Sequence, residues 1–163
     1  MTVQMQMAFE VNGIARRIVV EPRDTLVDVL RDKLSLTGTP KGCEEGATLL
    51  SVVLVDGEPV NAETMFAVQA HGRTVTTIEG LSADGLSSLQ AALVADGVAG
   101  SGVDLPGLVM LLEGARGRGA DAMDSLEQLM GCAGYSHSAV RQALAFLRKD
   151  AGDGTAVAQA DEQ

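Results

Sequence analysis

Cysteine, aromatic residues and long hydrophobic runs are all scarce in this sequence of 163 residues. Two cysteines are too few for a disulfide framework, so we expect a reducing, cytoplasmic environment. Aromatic residues make up 2% of the chain and tryptophan is absent, which argues against a surface that stacks nucleic-acid bases. No apolar run approaches the roughly 20 residues that cross a bilayer, so we expect no membrane segment.

The residues that are abundant predict a globular protein with an aliphatic core. Hydrophobic residues make up 46% of the chain and charged residues 21%, a balance typical of folded domains. The formal net charge is −10 at pH 7, whereas binding to nucleic-acid phosphates requires clustered Lys and Arg. We therefore expect neither nucleic acid nor membrane as a partner.

The first half of the chain has the pattern of a small mixed sheet with one helix. The Asn12-Gly13 pair predicts a hairpin turn between strands over 9–14 and 17–20. Thr25 and Asp28 form a predicted capping box for a helix that begins near residue 26. Further strands are predicted over 50–55, 66–70 and 75–78.

The second half has a helical period instead. Helices are predicted over four segments: 87–95, 105–115, 122–130 and 138–149. Ser87 and Gln90 form a second predicted capping box. These patterns predict an α+β chain with domains over 1–82 and 83–150, followed by a disordered tail over 151–163.

The segment from Lys41 to Glu63 has the spacing of a plant-type [2Fe–2S] site, C-x4-C-x2-C with one further cysteine. The four corresponding positions hold Cys43, Thr48, Ser51 and Glu63. This frame closely resembles the small iron–sulfur subunit of the molybdenum hydroxylases, the xanthine, aldehyde and carbon monoxide dehydrogenase family.

The helical half carries a second match to the same family. Residues 100–110 are similar to the family pattern Q-C-G-F-C-T-P-G-M-I-M, and residues 130–135 are similar to C-R-C-T-G-Y. The ligand positions of this second site hold Ser101, Asp104, Met130 and Cys132. The resemblance extends over roughly residues 7–149, with the motifs in the family's order.

The resemblance implies both a fold and a place in a complex. The implied fold is an N-terminal β-grasp ferredoxin-like domain followed by a C-terminal four-helix-bundle domain. In the family, two clusters relay electrons from a molybdopterin centre in a large subunit to a flavin in a medium subunit. The resemblance therefore implies these two subunits as partners, with molybdopterin and FAD bound there.

Because the eight degenerate ligand positions retain only Cys43 and Cys132, the residue types predict that the chain holds neither cluster. The sequence-based hypothesis is a non-redox structural subunit with no cofactor, metal or catalytic residue of its own. One alternative is a free-standing binding protein that reuses the frame. The other is an enzyme built on an emptied site, which would need a pocket with a perturbed titratable group, such as Glu63 or Asp104, beside a retained cysteine. Two further hypotheses are less favoured: a mononuclear ion held by Cys43 and Glu63 or by Asp104 and Cys132, and a Cys–His nucleophile.

Overall fold

A computed structural model of the protein describes residues 3–42, 49–82, 85–95 and 105–116. Six further residues are described singly: Arg118, Leu126, Leu144, Ala145, Leu147 and Arg148. Within these ranges, the first half of the chain forms a mixed sheet and the second half contributes helices that pack on it.

The sheet has five strands in the order β2-β1-β5-β3-β4. Their bounds are β1 (Met5–Val11), β2 (Ile14–Val20), β3 (Val52–Val55), β4 (Glu58–Asn61) and β5 (Thr74–Thr76). The pairing of β1 with β5 is parallel and the other pairs are antiparallel. Asn12 and Gly13 have φ angles of 51° and 77°, which is the backbone of a tight hairpin turn and confirms the predicted β1–β2 hairpin.

The helices are short in the first half and longer in the second. They are α1 (Leu26–Asp28), which continues as a π-helical turn (Val29–Lys33), α2 (Ile78–Leu81), α3 (Ser88–Ala95) and α4 (Leu105–Ala115). Both predicted capping boxes are confirmed. The Asp28 amide donates to Thr25 Oγ1 at 3.3 Å, and the Ser87 amide donates to Gln90 Oε1 at 2.8 Å.

Two predicted strands are wrong in whole or in part. Residues 66–70 form a 3-10 turn (Ala67–Ala70), because the Phe66 amide donates to Gln69 Oε1 at 2.9 Å and the segment folds back on itself. The last strand ends at Thr76, and Ile78 begins α2. The strand β4 was not predicted.

The described side chains form two buried clusters. One lies between the sheet and α1, where Leu26, Val27, Val29 and Leu30 are fully buried. The other contains residues of α3 and α4 together with Val52 of β3, whereas Val53 and Val55 of the same strand belong to the first cluster. Helix α4 is buried around most of its circumference, as expected for a helix that is apolar on all sides.

Helix α4 meets the β3–β4 hairpin at close range. A Cβ atom at Gly114 would lie 2.9 Å from Pro59 Cδ and 3.0 Å from Leu54 Cδ2. Arg118, which follows α4 in the sequence, donates two hydrogen bonds to the carboxylate of Glu58 in β4, at 2.6 and 2.8 Å. The described part therefore contains α3 and α4 of the predicted four-helix bundle. Most of segments 122–130 and 138–149 and the tail 151–163 lie outside the described residues, so the bundle and the domain boundaries remain predictions.

The Asp56 carboxylate ties the β3–β4 turn to the start of β5. Its Oδ1 accepts from the Thr74 amide and hydroxyl, both at 2.9 Å, and its Oδ2 accepts from Arg73 Nε at 2.6 Å. The Thr74 amide and then the Arg73 guanidinium stabilise the charged form and lower the pKa of Asp56 from 3.8 to about 2.

This lowered pKa predicts how the turn responds to acid. Because the folded-state pKa lies below the ordinary one, the contribution of Asp56 to stability is complete above pH 3.8 and is lost as the pH falls toward about 2. We expect the carboxyl carbon of Asp56 to titrate near pH 2 by NMR, and Arg73→Ala to raise that midpoint. A midpoint near 3.8 in the unmodified protein would contradict the hydrogen bonds that the structure shows.

Candidate functional site

Two of the eight predicted ligand positions, Ser51 and Glu63, lie in the described part of the chain and contact each other. Ser51 directly precedes β3, and Glu63 follows β4. Because Val52 pairs with Asn61 in this antiparallel hairpin, the residues just outside the pair lie at the same end. Ser51 Oγ lies 2.8 Å from Glu63 Oε1, and the two residues are 0% and 6% exposed.

Both side chains also bind the backbone of residues 40–42, which we call the loop-start segment. The Gly42 amide donates to Glu63 Oε1, and the Pro40 carbonyl oxygen lies within hydrogen-bond distance of Ser51 Oγ. The single hydroxyl proton of Ser51 is therefore shared between two acceptors, Pro40 O and Glu63 Oε1. The Glu63 amide donates to Asn61 Oδ1 at 3.0 Å, which fixes the turn that carries the carboxylate.

The residues just before the loop-start segment are held from two sides. One Arg31 nitrogen, Nη1, donates to the carbonyl oxygens of Thr37 and Thr39, each at 2.8 Å. The Gly38 amide donates to Glu79 Oε1 at 2.7 Å. The backbone that leads toward Cys43 is thus fixed by side chains from α1's π-helical continuation and from α2.

An ion pair joins Lys41 of the loop-start segment to Asp28 of α1. Lys41 Nζ lies 2.9 Å from Asp28 Oδ1, and Thr25 Oγ1 donates to Asp28 Oδ2 at 2.6 Å. Burial by itself raises the pKa of Asp28, but the hydrogen bonds from Thr25 and Lys41 outweigh it and lower that pKa. A pocket of about 210 Å³ lies here, lined by Thr25, Val27, Asp28, Lys41 and Glu63.

The other predicted ligand positions lie outside the described residues: Cys43, Thr48, Ser101, Asp104, Met130 and Cys132. His71, one of the two histidines of the chain, accepts a hydrogen bond from the Ala8 amide at Nδ1, at 3.1 Å. Within the described ranges, no group of three or more His, Cys, Asp or Glu side chains is placed to hold a metal ion. Over the same ranges, no helix has the length and apolar character needed to cross a membrane.

The sequence did not identify Arg31, Lys41 and Glu79 as part of this site. Each side chain reaches a partner that is distant along the chain or lies in another element, and a charged residue alone does not reveal its partner. Glu79 and Gly38 are separated by 41 positions, and Lys41 and Asp28 by 13. Only the capping box at Thr25 and Asp28 gave a local signal near the site.

Known proteins are similar in sequence to most of this chain. No family model matches the chain. It is 35% identical to the nicotinate dehydrogenase small FeS subunit of Eubacterium barkeri over 142 residues, which cover 82% of this chain and 90% of that protein. It is also 35% identical to the 6-hydroxypseudooxynicotine dehydrogenase complex subunit beta of Paenarthrobacter nicotinovorans, over 91% of this chain and 98% of that one. The chain belongs to the small iron–sulfur subunits of the molybdenum hydroxylase family.

A solved structure of the family has the same fold. The crystal structure of quinoline 2-oxidoreductase from Pseudomonas putida 86 matches with a TM-score of 0.71 and 29% identity, over 90% of this chain and 97% of that chain. The match agrees with a mixed sheet and a few helices, an α+β arrangement with a ferredoxin-like domain. The α+β part of the predicted fold is therefore confirmed.

The relatives also correct two of our predictions. From the residue types at the ligand positions we predicted a non-redox structural subunit and a chain without a cofactor. Relatives are named as a small FeS subunit and an iron–sulfur-binding subunit, of a dehydrogenase and an oxidoreductase respectively, so both predictions are wrong. Six of the eight ligand positions lie outside the described residues.

The described pair does not by itself match the usual ligand set of the family's cluster. Ser51 offers a hydroxyl and Glu63 a carboxylate, whereas a [2Fe–2S] cluster of this type is held by cysteine thiolates. Glu63 Oε1 already accepts from Gly42 and contacts Ser51, while the buried Oε2 has no hydrogen-bond partner among the described residues. Ser51 and Glu63 therefore do not fit a site of four thiolates.

Proposed function

We propose that this chain is the small subunit of a multi-subunit dehydrogenase of the molybdenum hydroxylase family and takes part in electron transfer within that complex. Its partners in this proposal are a large molybdopterin-type subunit and a medium flavin-type subunit. The observation that carries the proposal is the similarity over 91% of this chain and 98% of a relative named as a subunit of a dehydrogenase complex.

The described fold supports the same proposal. The matches cover 91% of this chain in one relative and 90% in one solved structure, so they include both the sheet and the helical half. In this proposal, residues 1–82 and 83–150 are the ferredoxin-like domain and a four-helix bundle. Helix α4 joins them by packing on the β3–β4 hairpin, and the complex is located in the cytoplasm.

The proposal is tested by isolating the native complex through a tag on this chain. We expect a large and a medium subunit to co-elute in fixed ratio, with molybdenum, flavin, iron and acid-labile sulfide in the same fraction. Addition of substrate should then reduce the flavin, and stopped-flow absorbance should record this reduction.

Two results would count against the proposal. Elution of the chain alone as a stable monomer would contradict its role as a subunit. Co-elution with both subunits but without iron and sulfide would contradict the electron-transfer part and leave the subunit role standing. Separation of the subunits without denaturation, under anaerobic conditions, followed by iron analysis of each one, would show which chain carries the iron.

A further inference from the structure

The buried Ser51–Glu63 pair makes a polar contact with the more exposed loop-start segment, and the family resemblance did not predict this contact. Both side chains are almost fully buried, and both bind backbone atoms that immediately precede Cys43. We infer that Ser51 and Glu63 act as positioning residues, a polar latch that holds residues 40–42 by hydrogen bonds of the polypeptide itself, whether or not a metal centre is bound.

The strength of the latch comes from the carboxylate. A donor that loses a buried acceptor is left unsatisfied, and the contact between Ser51 and Glu63 is buried. Glu63 Oε1 receives the Gly42 amide and lies 2.8 Å from the Ser51 hydroxyl, so one oxygen joins the loop-start segment to the residue before β3. Removal of the carboxylate would leave the Gly42 amide without this acceptor and the Ser51 hydroxyl with Pro40 O alone.

The latch differs from the other side-chain contacts made by residues 37–41. The Arg31 and Glu79 side chains hold residues 37–39, and Lys41 reaches Asp28 from a half-exposed position. Gly42 has no side chain, so hydrogen bonds can hold it only through its backbone amide and carbonyl, and the amide donates to Glu63 Oε1. The Glu63 carboxylate therefore fixes the position of Gly42, the residue that precedes Cys43 in the sequence.

The latch concerns this chain alone and does not depend on the proposed partners. It makes a site-specific prediction about one amide, that of Gly42, and about one peptide bond, the trypsin-sensitive bond between Lys41 and Gly42. The latch also predicts that removal of metal changes neither the exchange rate of the Gly42 amide nor the rate of trypsin cleavage after Lys41.

The test uses hydrogen exchange and limited trypsin digestion of the full chain. Glu63→Ala should speed exchange at the Gly42 amide by about tenfold or more, and should speed cleavage after Lys41, because the acceptor is lost. Exchange of the Leu54 amide in β3 should change little, which separates a local release from global unfolding. Glu63→Gln keeps one amide oxygen as acceptor and should have a smaller effect than alanine.

Two controls make the result specific. Glu10→Ala replaces an exposed glutamate of β1 and should leave Gly42 exchange unchanged. Treatment of the unmodified protein with a chelator and reductant should also leave the exchange rate of the Gly42 amide unchanged. If Glu63→Ala does not fold, Ser51→Ala and Glu63→Gln provide the same comparison.

Two outcomes would overturn the latch. Gly42 exchange that rises to the Glu63→Ala rate when metal is removed from the unmodified protein would show that the latch does not hold the segment without a metal. Gly42 exchange that is equal in the unmodified protein, Glu63→Ala and Ser51→Ala would show that neither side chain holds it.

Discussion

Replacement of Leu30 by alanine is expected to lower the free energy of unfolding by about 2–5 kcal/mol. Leu30 is fully buried in the cluster between the sheet and α1, and its carbonyl oxygen accepts from the Leu36 amide at 2.8 Å. Truncation removes the transfer free energy of three carbon atoms and leaves a cavity that the surrounding sheet can fill only in part.

Urea denaturation followed by circular dichroism measures this effect, and the chain offers a matched control. Leu86→Ala makes the same change at a side chain that is 63% exposed, and we expect a change within about 0.5 kcal/mol. Equal losses for the two variants would show that Leu30 is not in the core that the structure describes.

Replacement of Gly114 by valine is expected to destabilise the protein by about 1–3 kcal/mol. At an exposed position in a helix, valine would be slightly more favourable than glycine. Here its Cβ would approach Pro59 Cδ to 2.9 Å and Leu54 Cδ2 to 3.0 Å. The proline ring cannot rotate away, so α4 or the hairpin must shift.

The sign of the Gly114 effect therefore separates tertiary packing from helix propensity. Thermal unfolding of Gly114→Val should show a loss of stability. The control Ala91→Val, at an exposed position of α3, should cost only about 0.5 kcal/mol in propensity. A Gly114→Val protein as stable as the original would mean that α4 does not press on the β3–β4 hairpin, and would weaken the proposal that α4 joins the two halves.

The cofactor prediction shows where inference from the residues of a single sequence reached its limit. The motifs placed the chain in its family correctly, because the order and spacing of many residues carry that information. The same residues were then used to predict a loss of function, which the relatives' names contradict. A residue type tells which donor atom a position offers, but the binding of a cofactor depends on how the donors of a whole site converge.

The sequence by itself determined the local structures of this protein. The Asn12-Gly13 turn and the capping boxes at Thr25 and Ser87 depend on hydrogen bonds between residues no more than three apart, so neighbouring side chains suffice to specify them. Only the tertiary structure decided that residues 66–70 form a 3-10 turn and that Glu63 reaches both Ser51 and Gly42. The latter contacts depend on the register of β3 with β4 and on the path of the loop-start segment, which the sequence pattern does not specify. The physical reason is that contacts between distant segments form only where the whole fold brings their atoms within hydrogen-bond reach.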